Sequence, residues 1–147
     1  MSSPEEKAYE EFRVGDREAF SKTITEADIA LFCAVSGDMY ALHVDEEYAK
    51  TTRFGQRAAH GMLTASLLST VNGAILKRPG GLYVSQTLHF RRPVFIGDTL
   101  TATSVVVELM PENRRMRCKT RIVNQRDELV LDGEAILQKD AALSVKA

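Results

Sequence analysis

Gly61-Met62-Leu63-Thr64-Ala65-Ser66-Leu67-Leu68-Ser69-Thr70-Val71-Asn72-Gly73-Ala74-Ile75-Leu76-Lys77 is the strongest helical segment of the chain, and the remaining elements are arranged around it. At 1.5 Å per residue it predicts a rod roughly 25 Å long. Leu63, Leu67, Val71 and Ala74 line one side with Leu68 and Ile75 beside them, while Ala65, Ser66, Ser69 and Gly73 form a second side of small residues. A helix of this kind can be enclosed, with another backbone or a ligand approaching its small side. Arg78-Pro79-Gly80-Gly81 ends it.

Beyond the rod the period changes to two. Leu82, Val84, Leu88 and Phe90 alternate with Tyr83, Ser85, Thr87 and His89, and further strands are predicted over 99–109, 114–124 and 129–138. The last two are joined by a turn at Asn124-Gln125-Arg126-Asp127. Pairing Ile122 with Leu129 and Met116 with Ala135 sets Lys119 opposite Asp132 and Arg117 opposite Glu134. Cross-strand ion pairs on a wet face then account for much of the basic stripe Arg115, Arg117, Lys119, Arg121, which otherwise resembles a phosphate site.

Working back towards the N-terminus, residues 1–11 read as a loose acidic lead-in, and Phe12-Arg13-Val14-Gly15-Asp16 as a turn. Residues 17–24 read as a strand. Thr25 then caps a helix whose first turn carries Glu26 and Asp28, where the helix dipole favours acids. Ile29, Phe32, Cys33 and Ser36 give it one buried stripe, and Gly37 suits its end. Asp38 therefore falls in a loop. On a continuous helix Asp38 and His43 would point about 140° apart, whereas in a compact loop they can converge. A short helix at 45–50 and a loop through Phe54 and Gly55 lead back to the rod. The layout is α+β: an antiparallel sheet of about five strands curved around one long helix, preceded by a helical overhang.

A chain of 147 residues, 44% hydrophobic and 27% charged, fits one domain (1–147, core about 12–138). A net charge of −1 gives no reason to expect nucleic acid or an anionic membrane as partner. No apolar run approaches the roughly 18 residues of a spanning helix, and the polar N-terminus is unlike a signal peptide. Two cysteines are too few for a disulfide scaffold or thiolate metal site. The expectation is a cytoplasmic protein.

Asp38 and His43, close to a helix that begins at Gly61, form an acid/base pair suited to adding water beside a carbonyl. A free amide at a helix start can stabilise charge developing on that carbonyl oxygen. Either side chain can be the base. The three histidines do not have zinc spacing, so no metal is expected. Ser66 and Ser69 lack the setting of a hydrolase nucleophile. His60 is expected to hold the turn before the helix, and His89 to point outward.

The ordered set Ser36-Gly37-Asp38, His43, Ala59-His60-Gly61-Met62-Leu63, Phe90-Arg91-Arg92-Pro93-Val94 and Gly97-Asp98 closely resembles the MaoC-like hot-dog hydratases and dehydratases, in particular the (R)-specific enoyl-CoA hydratases. The resemblance implies a hot-dog fold and a homodimer with the acyl-CoA tunnel near its interface. It implies a hydro-lyase that needs no cofactor and reversibly adds water to trans-2-enoyl-CoA, giving the (R)-3-hydroxyacyl product. Asp38 and His43 would hold the water, Gly61 would be the oxyanion donor, and Ser69 would support the aspartate. Tyr40, Phe54, His60, Met62, Arg91 and Arg92 are the candidate substrate contacts, the two arginines for CoA phosphates. Where the family has Asn-Pro, this chain has Tyr40-Ala41, and Tyr40 is expected to project into the acyl pocket. The rival readings are dehydration of a 3-hydroxyacyl group on acyl carrier protein, thioester hydrolysis, and a non-catalytic acyl-CoA-binding subunit.

Overall fold

The change of period at Leu82 is also the division of the computed structural model, which describes residues 6–77 and 80–141. Before it come strand β1 (Arg17–Thr23) and helices α1 (Glu26–Ser36), α2 (Ala41–Val44), α3 (Glu46–Lys50) and α4 (Gly61–Leu76). After it come β2 (Gly81–Gln86), β3 (His89–Phe90), β4 (Thr99–Met110), β5 (Arg115–Val123) and β6 (Leu129–Lys139). The sheet runs β1-β4-β5-β6-β2, every pair antiparallel, with the two-residue β3 also on β6. Six strands replace the expected five because the run from Leu82 to Phe90 is interrupted after Gln86. The Arg78-Pro79 stop and residues 1–5 lie outside the described residues.

Helix α4 packs on the inner face of this curled sheet, the hot-dog arrangement. Its buried stripe is Leu63, Leu67, Leu68, Val71, Ile75 and Leu76. Ala74 is exposed, contrary to expectation, and Asn72 takes a fully buried place instead. The burial is paid for by hydrogen bonds: Ser104 Oγ donates to Asn72 Oδ1 at 2.7 Å, and Asn72 Nδ2 donates to the Tyr83 hydroxyl at 2.8 Å. Gln86 extends the network to Thr120 at 3.0 Å. Two apolar clusters result, with Leu63, Leu67, Leu68 and Val71 in one and Ile75, Leu76, Val106 and Met116 in the other. Burial pushes the Cys118 thiol, in the second cluster, up to about 11. On the small-residue side only Ala65 is buried, while Ser66, Ser69 and Gly73 face outward.

The β5–β6 hairpin turns at Asn124, whose side-chain oxygen accepts from the amides of Arg126 and Glu128. Its register differs from the one expected. Val123 faces Leu129, but a bulge at buried Val130 shifts the rest, so that Ile122 faces Leu131 and Lys119 faces Glu134. A two-residue shift keeps every side chain on its intended face. The basic stripe is neutralised partly by other partners: Arg117 reaches Glu108 at 2.9 Å and Glu134 at 3.2 Å, and Asp132 pairs with Arg91 at 2.9 Å.

Candidate active site

Helix α1 ends where the sequence indicates. Gly37 adopts φ 77°, a left-handed conformation that suits glycine, and its N–H donates to the Cys33 carbonyl at 2.8 Å. Ser36 Oγ then accepts from the Asp38 amide at 3.1 Å, and Asp38 Oδ1 accepts from the Tyr40 amide at 3.2 Å. These two bonds shape the loop and leave Asp38 Oδ2 free to face His43 on α2.

The separation between Asp38 Oδ2 and His43 Nε2 is 4.0 Å. His43 Nδ1 lies 2.7 Å from the Ala58 carbonyl oxygen. A carbonyl only accepts, so the ring is assigned its proton on Nδ1, leaving a bare lone pair on Nε2. Two acceptors therefore face each other across the gap. A single water donating one proton to each, at about 2.8 Å, would fill a gap of this order. The Asp38 side chain is 51% exposed and that of His43 is 12% exposed, so the pair is open to solvent from the carboxylate side.

His43 and Gly61 share a cavity of about 280 Å³ whose walls include Phe54, Phe90, Arg91 and Arg92. Gly61 opens α4, and no side chain among the described residues caps that end. The first N–H groups of a helix have no intrahelical partner, so they are available to a ligand there. A Cβ at Gly61 would stand 2.9 Å from Phe90 Cε1, so only glycine fits without moving the ring.

The candidate residues divide. His43, Gly61, Phe54, Arg91 and Arg92 meet at the cavity, with Asp38 beside His43. Tyr40 does not line it: its hydroxyl lies 3.1 Å from that of Tyr48, and the residue is 53% exposed. Met62 points away and is exposed, because the first turn of α4 rotates it off the cavity side. His60 is buried behind His43 and is not on the cavity wall. Ser69 lies eight residues beyond Gly61 on an outward face, about 12 Å along the axis, and no hydrogen bond joins it to Asp38 among the described residues. Arg92 also pairs with Glu128 at 3.4 Å. Sequence reasoning missed Phe90 as a wall and Ala58 as the anchor of His43; no local signal in the chain marks either contact.

Asp38, His43 and His60 hold possible ligand atoms within 4.8 Å of one another. The two imidazoles, however, stack with centroids 3.8 Å apart and planes inclined by 26°. Rings stacked in this way aim their in-plane lone pairs side by side rather than at one point, so the cluster does not fit a metal.

Residues 14–128 match the family described as MaoC like domain. The chain is 44% identical over 132 residues to the 3-hydroxybutyryl-CoA dehydratase of Methylorubrum extorquens, covering 88% of this chain and 82% of that protein. It is 43% identical over 133 residues to an (R)-specific enoyl-CoA hydratase of Rhodospirillum rubrum, covering 90% and 92%. Among solved structures it is similar to the unliganded R-hydratase PhaJ1 of Pseudomonas aeruginosa, with TM-score 0.84, 43% identity and coverage of 90% and 84%. It is also similar to the (R)-hydratase of A. caviae, with TM-score 0.83, 38% identity and coverage of 88% and 98%.

Proposed function

Because the chain belongs to the MaoC-like domain family, we propose that it is an (R)-specific enoyl-CoA hydratase, a hydro-lyase that reversibly adds water to trans-2-enoyl-CoA to give (R)-3-hydroxyacyl-CoA. The observation that carries the assignment of its site is the 4.0 Å gap between Asp38 Oδ2 and His43 Nε2, beside a cavity that reaches the uncapped start of α4.

In this reading the substrate water occupies the gap. Its oxygen bonds to C3 as one of its protons passes to the Asp38–His43 pair, and the pair returns a proton to C2. The electrons of the C2–C3 double bond move towards the thioester oxygen, which receives the Gly61 N–H. Such a donor acts without reorganising, and losing one typically costs about 10²–10³ in rate. Water, acid/base and electrostatics balance the reaction, so the proposed enzyme needs no cofactor. In this reading Arg91 and Arg92, on the cavity wall, meet the CoA phosphates, and Phe54 beside them contacts the substrate.

The assembly proposed is a homodimer. Strand β2 pairs only with β6 among the described strands, and its Leu82, Tyr83 and Val84 are 48%, 43% and 41% exposed, an apolar edge that a second copy would cover. Two free, buried cysteines fit the reducing cytoplasm proposed as its location.

The test is hydration of crotonyl-CoA, followed as loss of enoyl-thioester absorbance. The wild type is expected to remove the absorbance without releasing thiol. Asp38→Asn and His43→Ala are each expected to lose about 10²-fold or more in kcat while remaining folded. Near-wild-type rates in both variants would refute the assigned pair. Turnover only with the acyl-carrier-protein thioester would move the reaction to that carrier.

A further inference from the structure

The least explained group near the site is His60. It is only 2% exposed, and its ring contacts four residues around the site. Its Nε2 lies 3.0 Å from the backbone carbonyl oxygen of Asp38, with Cys33 Sγ at 3.6 Å. Its face stacks on His43 at 3.8 Å, and Phe32 packs at 4.8 Å. Its other nitrogen, Nδ1, is buried without a hydrogen-bond partner among the described residues. A carbonyl acceptor at Nε2 assigns the proton there. The two stacked imidazoles are thus held as opposite tautomers by two carbonyls: His43 through Nδ1–H to Ala58, His60 through Nε2–H to Asp38.

From this arrangement we propose that His60 is the positioning residue of the site. Its Nε2–H tethers the Asp38 backbone to the start of α4 while its ring face supports the plane of His43, so one side chain sets the gap that holds the water. It does so without reaching the cavity. The orphaned Nδ1 gives the proposal its edge. An imidazole used only as filler would have no reason to bury an unpaired nitrogen, since a phenyl ring fills similar space at no polar cost. What a phenyl ring lacks is the Nε2 donor. The inference rests on the reading of Asp38 and His43 above.

The test separates ring from donor. His60→Phe keeps an aromatic face against His43 and removes the tether. His60→Gln removes the face and places an amide donor near the Nε2 position. A displacement on the order of 1 Å costs about 10²-fold in rate. His60→Phe is therefore expected to lose about 10²-fold in crotonyl-CoA kcat with KM changed less than about threefold, and His60→Gln to recover at least about tenfold of that loss. A rise in KM with kcat retained would make His60 a substrate contact and overturn the proposal. Equal losses in both variants would overturn it in favour of a scaffold role, as would full activity in His60→Phe.

Should a variant fail to fold, the wild-type protein gives the answer through its imidazole ¹⁵N spectrum. Nε2–H at His60 together with Nδ1–H at His43 is expected, and Nδ1–H at His60 would refute the tether. That measurement needs no turnover, so it judges His60 even if the wild type hydrates no enoyl-CoA, an outcome that would sink the proposed function instead.

Discussion

Replacing Gly61 by alanine should stabilise the helix and damage the enzyme, opposite signs from one methyl group. Glycine is about 0.8–1.0 kcal/mol less favourable than alanine inside a helix, and Gly61 is the first residue of α4, so the gain there is a fraction of that. Against it stands the ring of Phe90. The added Cβ would lie 2.9 Å from Cε1 and 3.1 Å from Cδ1, where ordinary contact begins near 3.4 Å. The ring must yield by about half an ångström, and because Phe90 is 53% exposed it has room to do so at little cost in stability. The cavity has no such freedom. Gly61 lines it, so in the proposed reaction the methyl group would crowd the approach of the thioester oxygen to the Gly61 N–H, and losing such a donor costs about 10²–10³ in rate.

Melting of Gly61→Ala should therefore stay within about 1 kcal/mol of wild type, while kcat for crotonyl-CoA falls by about 10². Adding Phe90→Leu removes the collision but leaves the methyl group in the oxyanion position. Activity should not return if the amide matters, whereas recovery would show that the ring alone had been displaced into the site. Wild-type turnover by Gly61→Ala would refute the reasoning outright, since no thioester oxygen could then be using that amide at hydrogen-bond distance.

Three further substitutions probe the loop and the overhang. Ala41 opens α2, its N–H donates to no group among the described residues, and Tyr40 before it has ψ 133°; this is the setting that accepts proline, so Ala41→Pro should raise stability by about 0.4–1 kcal/mol in thermal melts. Tyr40→Asn should leave the profile of rate against acyl-chain length unchanged, because Tyr40 faces Tyr48 rather than the cavity, and a shifted profile would return it to the pocket. At the start of α1 burial pushes Asp28 up, but the Thr25 amide and hydroxyl and the Lys22 ammonium outweigh it and hold the carboxyl below its ordinary range. A depressed folded-state pKa contributes stability above the ordinary carboxylate range, and that stability is lost as pH falls through the depressed value. Asp28→Asn should thus cost about 1 kcal/mol at neutral pH and nothing once the wild-type Asp28 carboxyl is protonated, as measured by denaturant melts across the acid range.

The parts of this molecule legible in the sequence are those whose causes lie within a few residues. Thr25 and Asp28 bracket a helix start through bonds spanning three positions, and Gly37 ends that helix because its own φ permits it. Because Asp38 follows that helix end, it is free to converge with His43, and it does so across 4.0 Å with His43 held on α2. The misplaced residues are those whose fate is decided by a distant group. Asn72 looks wrong for a core until Ser104, 32 positions away, supplies a donor, and Ala74 looks right until the curvature of the sheet leaves it uncovered. Tyr40 was expected inside because it replaces the smaller asparagine of the family pattern, but the hydroxyl of Tyr48, on the next short helix, draws it outward. His60 shows the limit most sharply. A histidine before a helical glycine reads as a turn residue, and its contacts with Asp38, Cys33 and His43 arise only when α1, α2 and α4 close on one another. The Asp38–His43 pair sits on local punctuation and can be read from the chain. The group that fixes the spacing of that pair exists only in the folded molecule, and so it is the tertiary contact rather than the motif that most needs a mutation of its own.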